Sequence, residues 1–130
     1  MESTSPASGP ARGSFVQGIP VVEIIGRLDV ARAPLFDAQI APIFTQHRAR
    51  VLIDMSGTAY ISSAGLRSIL KMIKLSATGG GRVGMFAITT PILEILEISG
   101  FQTLIDIYPD GETALKECVA ASDVRRQAQA

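Results

Sequence analysis

The run Val51-Leu52-Ile53-Asp54 constrains the fold of this chain more than any other. Its apolar part is too short for a helix and reads as a buried strand. A short loop through Ser56, Gly57 and Thr58 carries the chain on. Leu66, Ile69, Leu70 and Ile73 then recur at i, i+3, i+4 and i+7, which marks an amphipathic helix. A strand followed at once by such a helix points to a sheet covered by helices.

The same alternation extends in both directions. Upstream, a weak strand at Ser14–Gln17 leads through Gly18-Ile19-Pro20 into a stronger one at Val21–Ile25. So short a link predicts an antiparallel hairpin. Gly26-Arg27-Leu28-Asp29 ends that strand, and a helix begins near Pro34 with a core face of Phe36, Ile40, Ile43 and Phe44, joined by His47. Pro42 lacks the N–H that would reach Ala38, so a kink or loosened turn is expected there. Downstream, Gly79-Gly80-Gly81 breaks the chain, and a strand follows at Arg82–Ala87. Thr90-Pro91 signals a helix start, Gly100 its end, and Leu104–Tyr108 another strand. Asp110 caps a last helix with Ala114, Leu115, Cys118 and Val119 as its apolar stripe. The expected fold class is α/β: a mixed, mostly parallel sheet of four to five strands with about four helices.

At 130 residues the chain is expected to form one domain, over residues 14–122. Residues 1–13 are mostly Ser, Pro, Ala and Gly and read as a disordered tail; residues 123–130 read as a flexible polar end. The opening residues lack the basic and apolar regions of a secretory signal. Twelve basic and twelve acidic side chains balance. That balance gives no footprint for nucleic acid or an anionic membrane, and no run is long enough for membrane insertion. The single cysteine, Cys118, excludes an internal disulfide and a multi-cysteine metal site. A cytoplasmic protein without a cofactor or metal is expected.

Ile61-Ser62-Ser63-Ala64-Gly65-Leu66 is where chemistry is concentrated. The two serines stand between a strand and a helix, and Ser63 falls at the expected N-cap. There its hydroxyl lies near backbone N–H groups that lack intrahelical partners. Plain capping is the simplest role for such a serine. Ala64 and Gly65, however, keep the entrance sterically open, and Gly65 costs about 1 kcal/mol relative to alanine in a helix. A phosphate at this point would meet the positive end of the helix dipole. Ser63 is therefore the candidate phosphorylation site. On the outer side of the same helix, Met72 and Leu75 with Ser68 form a candidate docking spot, and Arg67, Lys71 and Lys74 a basic stripe beside it. The plainer alternatives are that Met72 packs on a neighbouring helix and that the cations form a solvated face.

Other residues carry less. His47 has no evident nucleophile to serve, and Cys118 lies in an apolar stripe. Asp29 and Asp54 end two strands and could converge near Ser63 as supporting groups. Asp54 invites comparison with a phosphoaspartate receiver, but the acidic pair after the first strand and the late lysine are missing. The glycine run lacks the lysine and Ser or Thr of a phosphate loop. No nucleophile–base pair or metal cluster suggests an enzyme.

Over Phe15 to Ala121 the chain resembles the STAS family, in particular the bacterial anti-sigma factor antagonists. The resemblance rests on Gly26-Arg27-Leu28-Asp29, Leu52-Ile53-Asp54-Met55-Ser56, Ile61-Ser62-Ser63-Ala64-Gly65-Leu66 and Leu96-Glu97-Ile98-Ser99-Gly100-Phe101. Members typically read Asp-Ser-Ser/Thr-Gly-Leu at the switch. Matching Gly65 and Leu66 puts the phosphorylated serine at Ser63, with Ser62 in the aspartate position and Ala64 in that of Ser or Thr. Ser62 becomes a secondary candidate acceptor. The resemblance implies a STAS-type domain without catalytic activity that works by partner switching. Its partners would be an anti-sigma factor serine kinase and a metal-dependent serine phosphatase, docking around Ser62, Ala64, Gly65, Arg67, Ser68, Lys71, Met72 and Leu75. A monomer is favoured. Other branches of the family imply an alternative, an unphosphorylated scaffold or a transporter-associated subunit.

Overall fold

The computed structural model describes the backbone of residues 9–46 and 50–129, and the side chains of residues 9–44 and 50–121. The first hairpin is built from β1 (Ala11–Val16) and β2 (Ile19–Ile24), paired antiparallel with Val16 opposite Ile19. Gln17 and Gly18 turn the chain with φ of 52° and 80°, the left-handed conformation that two-residue hairpin loops require. β1 includes Ala11, Arg12 and Gly13, which composition assigned to the tail. Main-chain pairing with Ile24, Glu23 and Val22 holds them there, and that needs no apolar side chain.

β3 (Gly26–Leu28) precedes α1 (Ala33–Gln46), and β4 (Arg50–Asp54) leads to β5 (Thr58–Ile61) and α2 (Ser63–Thr78). β6 (Arg82–Phe86), α3 (Thr90–Ile98), a single 3-10 turn at Phe101–Thr103, β7 (Asp106–Tyr108) and α4 (Gly111–Gln129) complete the order. Five strands form one sheet in the order β1-β2-β4-β6-β7, and every pair beyond the hairpin is parallel. β3 and β5 make a separate two-stranded parallel ribbon. The mixed, mostly parallel α/β sheet with four helices is as the sequence pattern implies.

The two faces of the sheet carry two apolar clusters. Val22, Ile24, Val51, Ile53, Val83 and Met85 face Phe36, Ile40 and Phe44 of α1, Ile69, Met72 and Ile73 of α2, and Ile92 and Leu96 of α3. Ile19 and Leu52 face Ala114 and Cys118 of α4 on the other side. Alternation along β4 thus sends Val51 and Ile53 one way and Leu52 the other, as a strand buried on both faces demands. Burial pushes the Cys118 thiol up, in keeping with a core role.

Other boundaries differ from expectation as well: β2 begins at Ile19 rather than Val21, and β7 at Asp106 rather than Leu104. α1 starts at Ala33, as expected near Pro34, and Pro42 lies inside it. The cap of α3 is Thr89, which puts Pro91 at the second helical position rather than just after a Thr90 cap. α4 runs to Gln129 through residues read as a polar end, where Arg, Gln and Ala are good helix formers. His47 lies outside the described residues.

Candidate functional site

The entrance of α2 is set by the small β3–β5 ribbon. Leu28 ends β3 opposite Ile61, the last residue of β5, and its carbonyl oxygen accepts from Ser62 N–H at 3.0 Å. The Ser62 hydroxyl lies 3.4 Å from the same oxygen as a weak donor, and accepts from Gly65 N–H at 3.2 Å. Ser62, with extended backbone at ψ 177°, is therefore the N-cap. The sequence-based assignment of the cap to Ser63 was one residue late. Two adjacent serines gave pattern reasoning no way to choose. The choice is made by Leu28, a contact distant in sequence.

Ser63 is consequently the first helical residue, and it is exposed. Helix geometry leaves the first N–H groups of α2 without intrahelical acceptors. Ser62 and Gly65 have found partners in Leu28 and the cap hydroxyl. The N–H groups of Ser63 and Ala64 remain at the positive end of the dipole. No acidic side chain occupies this first turn.

Gly65 is buried, and its lack of a side chain has a packing reason that the sequence did not reveal. A Cβ there would collide with the Leu28 carbonyl oxygen and lie 3.1 Å from Ile61 Cγ2. The helix thus presses its first turn against β3, and the glycine serves close approach as well as openness.

The proposed docking residues divide. Ser63, Arg67, Lys71 and Leu75 are exposed, Leu75 to 37%, while Ser62 and Ala64 are half-buried. Ser68 and Met72 are 2% and 0% exposed and face the core with Gly65. Their assignment to an outer surface is corrected. The buried line runs Gly65, Ser68, Ile69, Met72, Ile73, Ser76, whereas Leu66 and Leu70 are only half-buried. Lys71 Nζ pairs with Asp37 of α1 at 3.2 Å. Lys71, Lys74, Leu75 and Thr78 line a shallow depression on this outer side.

Asp29 and Asp54 do not meet at Ser63. Asp29 accepts from Arg32 N–H at 3.2 Å ahead of α1 and pairs with Arg27 at 3.6 Å. Asp54 accepts from Ser56 N–H at 2.9 Å and shapes its own loop. Beside the entrance the ribbon adds residues not foreseen: Arg27 stacks over the exposed Tyr60 ring at 4.2 Å, and Val30 stands 74% exposed just beyond β3. A Gly-Arg-Leu run was the available signal for this ribbon, but it read as a strand end.

This geometry, and the sequence behind it, fit one family. The chain belongs to the STAS domain family, whose model matches residues 14–114. Among curated relatives it is 28% identical over 99 residues to BtrV of Bordetella bronchiseptica, provisionally named an anti-sigma factor antagonist, covering 76% of this chain and 85% of that one. It is 23% identical over 107 residues to the anti-sigma F factor antagonist of Paenibacillus polymyxa, covering 82% and 92%. The fold matches SpoIIAA in its unphosphorylated form at a TM-score of 0.66 and 15% identity, over 85% of this chain and 97% of that one. The phosphorylated form of SpoIIAA from Bacillus matches at 0.65 and 14% identity, over 82% and 97%. The same fold occurs within a murine anion transporter, solute carrier 26 family member A9, at 0.72 and 15% identity, over 82% of this chain and 18% of the transporter. No described helix is long and apolar enough to cross a membrane.

Proposed function

We propose that this protein is an anti-sigma factor antagonist that works by partner switching. Unmodified, it binds an anti-sigma factor serine kinase through the outer side of the α2 entrance and so frees a sigma factor. Transfer of the γ-phosphoryl group of ATP to Ser63 Oγ releases it, and a metal-dependent serine phosphatase resets the cycle. The protein supplies no catalytic residue of its own.

One observation carries this reading: of the two adjacent serines, Ser62 is held as the cap and Ser63 is left exposed at the first helical position. A phosphoryl group on Ser62 Oγ would replace the hydrogen that this hydroxyl directs at the Leu28 carbonyl oxygen and would set negative charge against that oxygen. The exposed Ser63 hydroxyl meets no such obstacle. A phosphoserine adds about −1.5 to −2 charges at neutral pH. The free N–H groups of the first turn stabilise that charge, so the domain keeps its fold. A partner packed on the same spot faces the charge directly. Like-charge contacts in an interface cost several kcal/mol, and about 1.4 kcal/mol already weakens binding tenfold. The relatives named as anti-sigma factor antagonists support the same role.

Exposing the protein to the serine kinase and ATP, then mapping the modified residue by mass spectrometry, tests the proposal. One phosphate on Ser63 is expected, and none on Ser62. A protein that stays unmodified while still binding its partner would favour the second reading, an unphosphorylated scaffold or transporter-associated subunit. That reading draws on Ser62 itself, a neutral residue where the family usually has aspartate.

A further inference from the structure

We propose that Arg67 is the built-in counter-ion of a phosphate on Ser63. The inference rests on Ser63 being the modified residue. Modification then changes the surface twice: it adds negative charge at the helix entrance and ties up a cation of the exposed face.

Ser63 and Arg67 are both exposed and stand four residues apart on α2, which stacks them on one side of the helix. The order matters. An anion placed N-terminal to a cation at this spacing is the favourable arrangement along the helix dipole. A phosphate dianion can accept two parallel N–H bonds from a guanidinium, which a lysine cannot offer in the same geometry.

Two of the other cations around the entrance are already engaged. Lys71, one turn beyond Arg67, is paired with Asp37 of α1. Arg27 and Asp29, brought by β3 and the loop after it, pair with each other, and Arg27 also lies over Tyr60. Arg32, ahead of α1, has no ion pair among the described residues and a buried Nε without a hydrogen-bond partner, but its guanidinium lies toward Gly26 at the far end of β3. Arg67 has no ion-pair partner among the described residues. It is the unpaired cation that stands one helical turn from Ser63 on the same side of α2.

The test installs phosphoserine at position 63 during translation, so its result does not depend on any kinase. Phosphorus NMR then follows the second ionisation of the phosphate, near pH 6. A nearby guanidinium favours the dianion and lowers this midpoint. Arg67→Ala is expected to raise it by about 0.3 of a pH unit at low salt, and the difference should fade near 1 M salt. Arg67→Lys should retain part of the lowering, and Lys71→Ala should leave the midpoint where it is. Equal midpoints in the parent and Arg67→Ala overturn the role of Arg67. Failure of a kinase to modify Ser63 is a different result, and counts against the functional proposal alone.

Discussion

The entrances of α4 and α2 solve the same electrostatic problem in different ways. At α4, Asp110 Oδ1 accepts from Thr113 N–H at 2.8 Å, and Glu112 adds a second carboxylate to the first turn. Hydrogen bonding to Thr113 holds the Asp110 carboxyl below the ordinary aspartate range. Negative charge is permanently built in where the helix dipole favours it. At α2 the cap is a neutral hydroxyl, Ser62, and no acidic residue occupies the first turn. A helix start that favours an anion has been left without one, and an exposed serine stands beside it. The contrast shows what a phosphate at Ser63 would do: give α2 reversibly what α4 has by sequence.

The largest effect expected from disturbing either entrance is at Gly65. Gly65→Ala drives a methyl group into the Leu28 carbonyl, a backbone atom with little freedom to move. A loss of about 1–3 kcal/mol is expected in denaturant titrations, despite the better helix propensity of alanine. Gly111→Ala at α4 meets only the Phe86 ring at 3.0 Å, which can shift, so a clearly smaller change is expected. Equal effects would break the view that α2 is wedged against β3.

Ser62→Ala comes next, with a loss of about 1 kcal/mol, the usual cost of removing an N-cap hydroxyl. The two caps should also differ in their response to acid. Asp110 has a depressed pKa, so its stabilising contribution is complete above the ordinary aspartate range and fades as pH falls through the lowered value. Asp110→Asn should remove that acid-dependent component from the stability–pH curve. Ser62→Ala should displace the curve without changing its shape. The smallest effect is Ser63→Asp, a gain of about 0.3–1 kcal/mol from a carboxylate in the first turn.

The sheet and its helices were legible because apolar runs and breaks carry them: Val51–Ile53, the glycine run at 79–81, and Thr90-Pro91. The face of α2 was harder to read. Periodicity centred it on the large residues Leu66 and Leu70, while the buried line passes through Gly65, Ser68 and Ser76. Small residues mark where a helix approaches its neighbours closely, and a hydrophobic pattern does not count them. Met72 was drawn outward by the same error and is a core residue. The β3–β5 ribbon escaped for another reason. Thr58-Ala59-Tyr60-Ile61 has no apolar run, and it is held by pairing with β3 and by the Thr58 hydroxyl donating to the Ile24 carbonyl at 2.9 Å. That ribbon decides which serine caps. The motif at residues 61–66 could locate the helix entrance, but only Leu28 separates Ser62 from Ser63.

A single paired experiment addresses the idea that charge at Ser63 is welcome to the fold and unwelcome to the partner. The protein bearing phosphoserine at position 63 and the unmodified protein would be compared in thermal melting and in titration against the anti-sigma factor. The expected result is a melting temperature equal or higher, with binding weakened at least tenfold. Unchanged binding, or a domain that unfolds once the phosphate is present, contradicts the account.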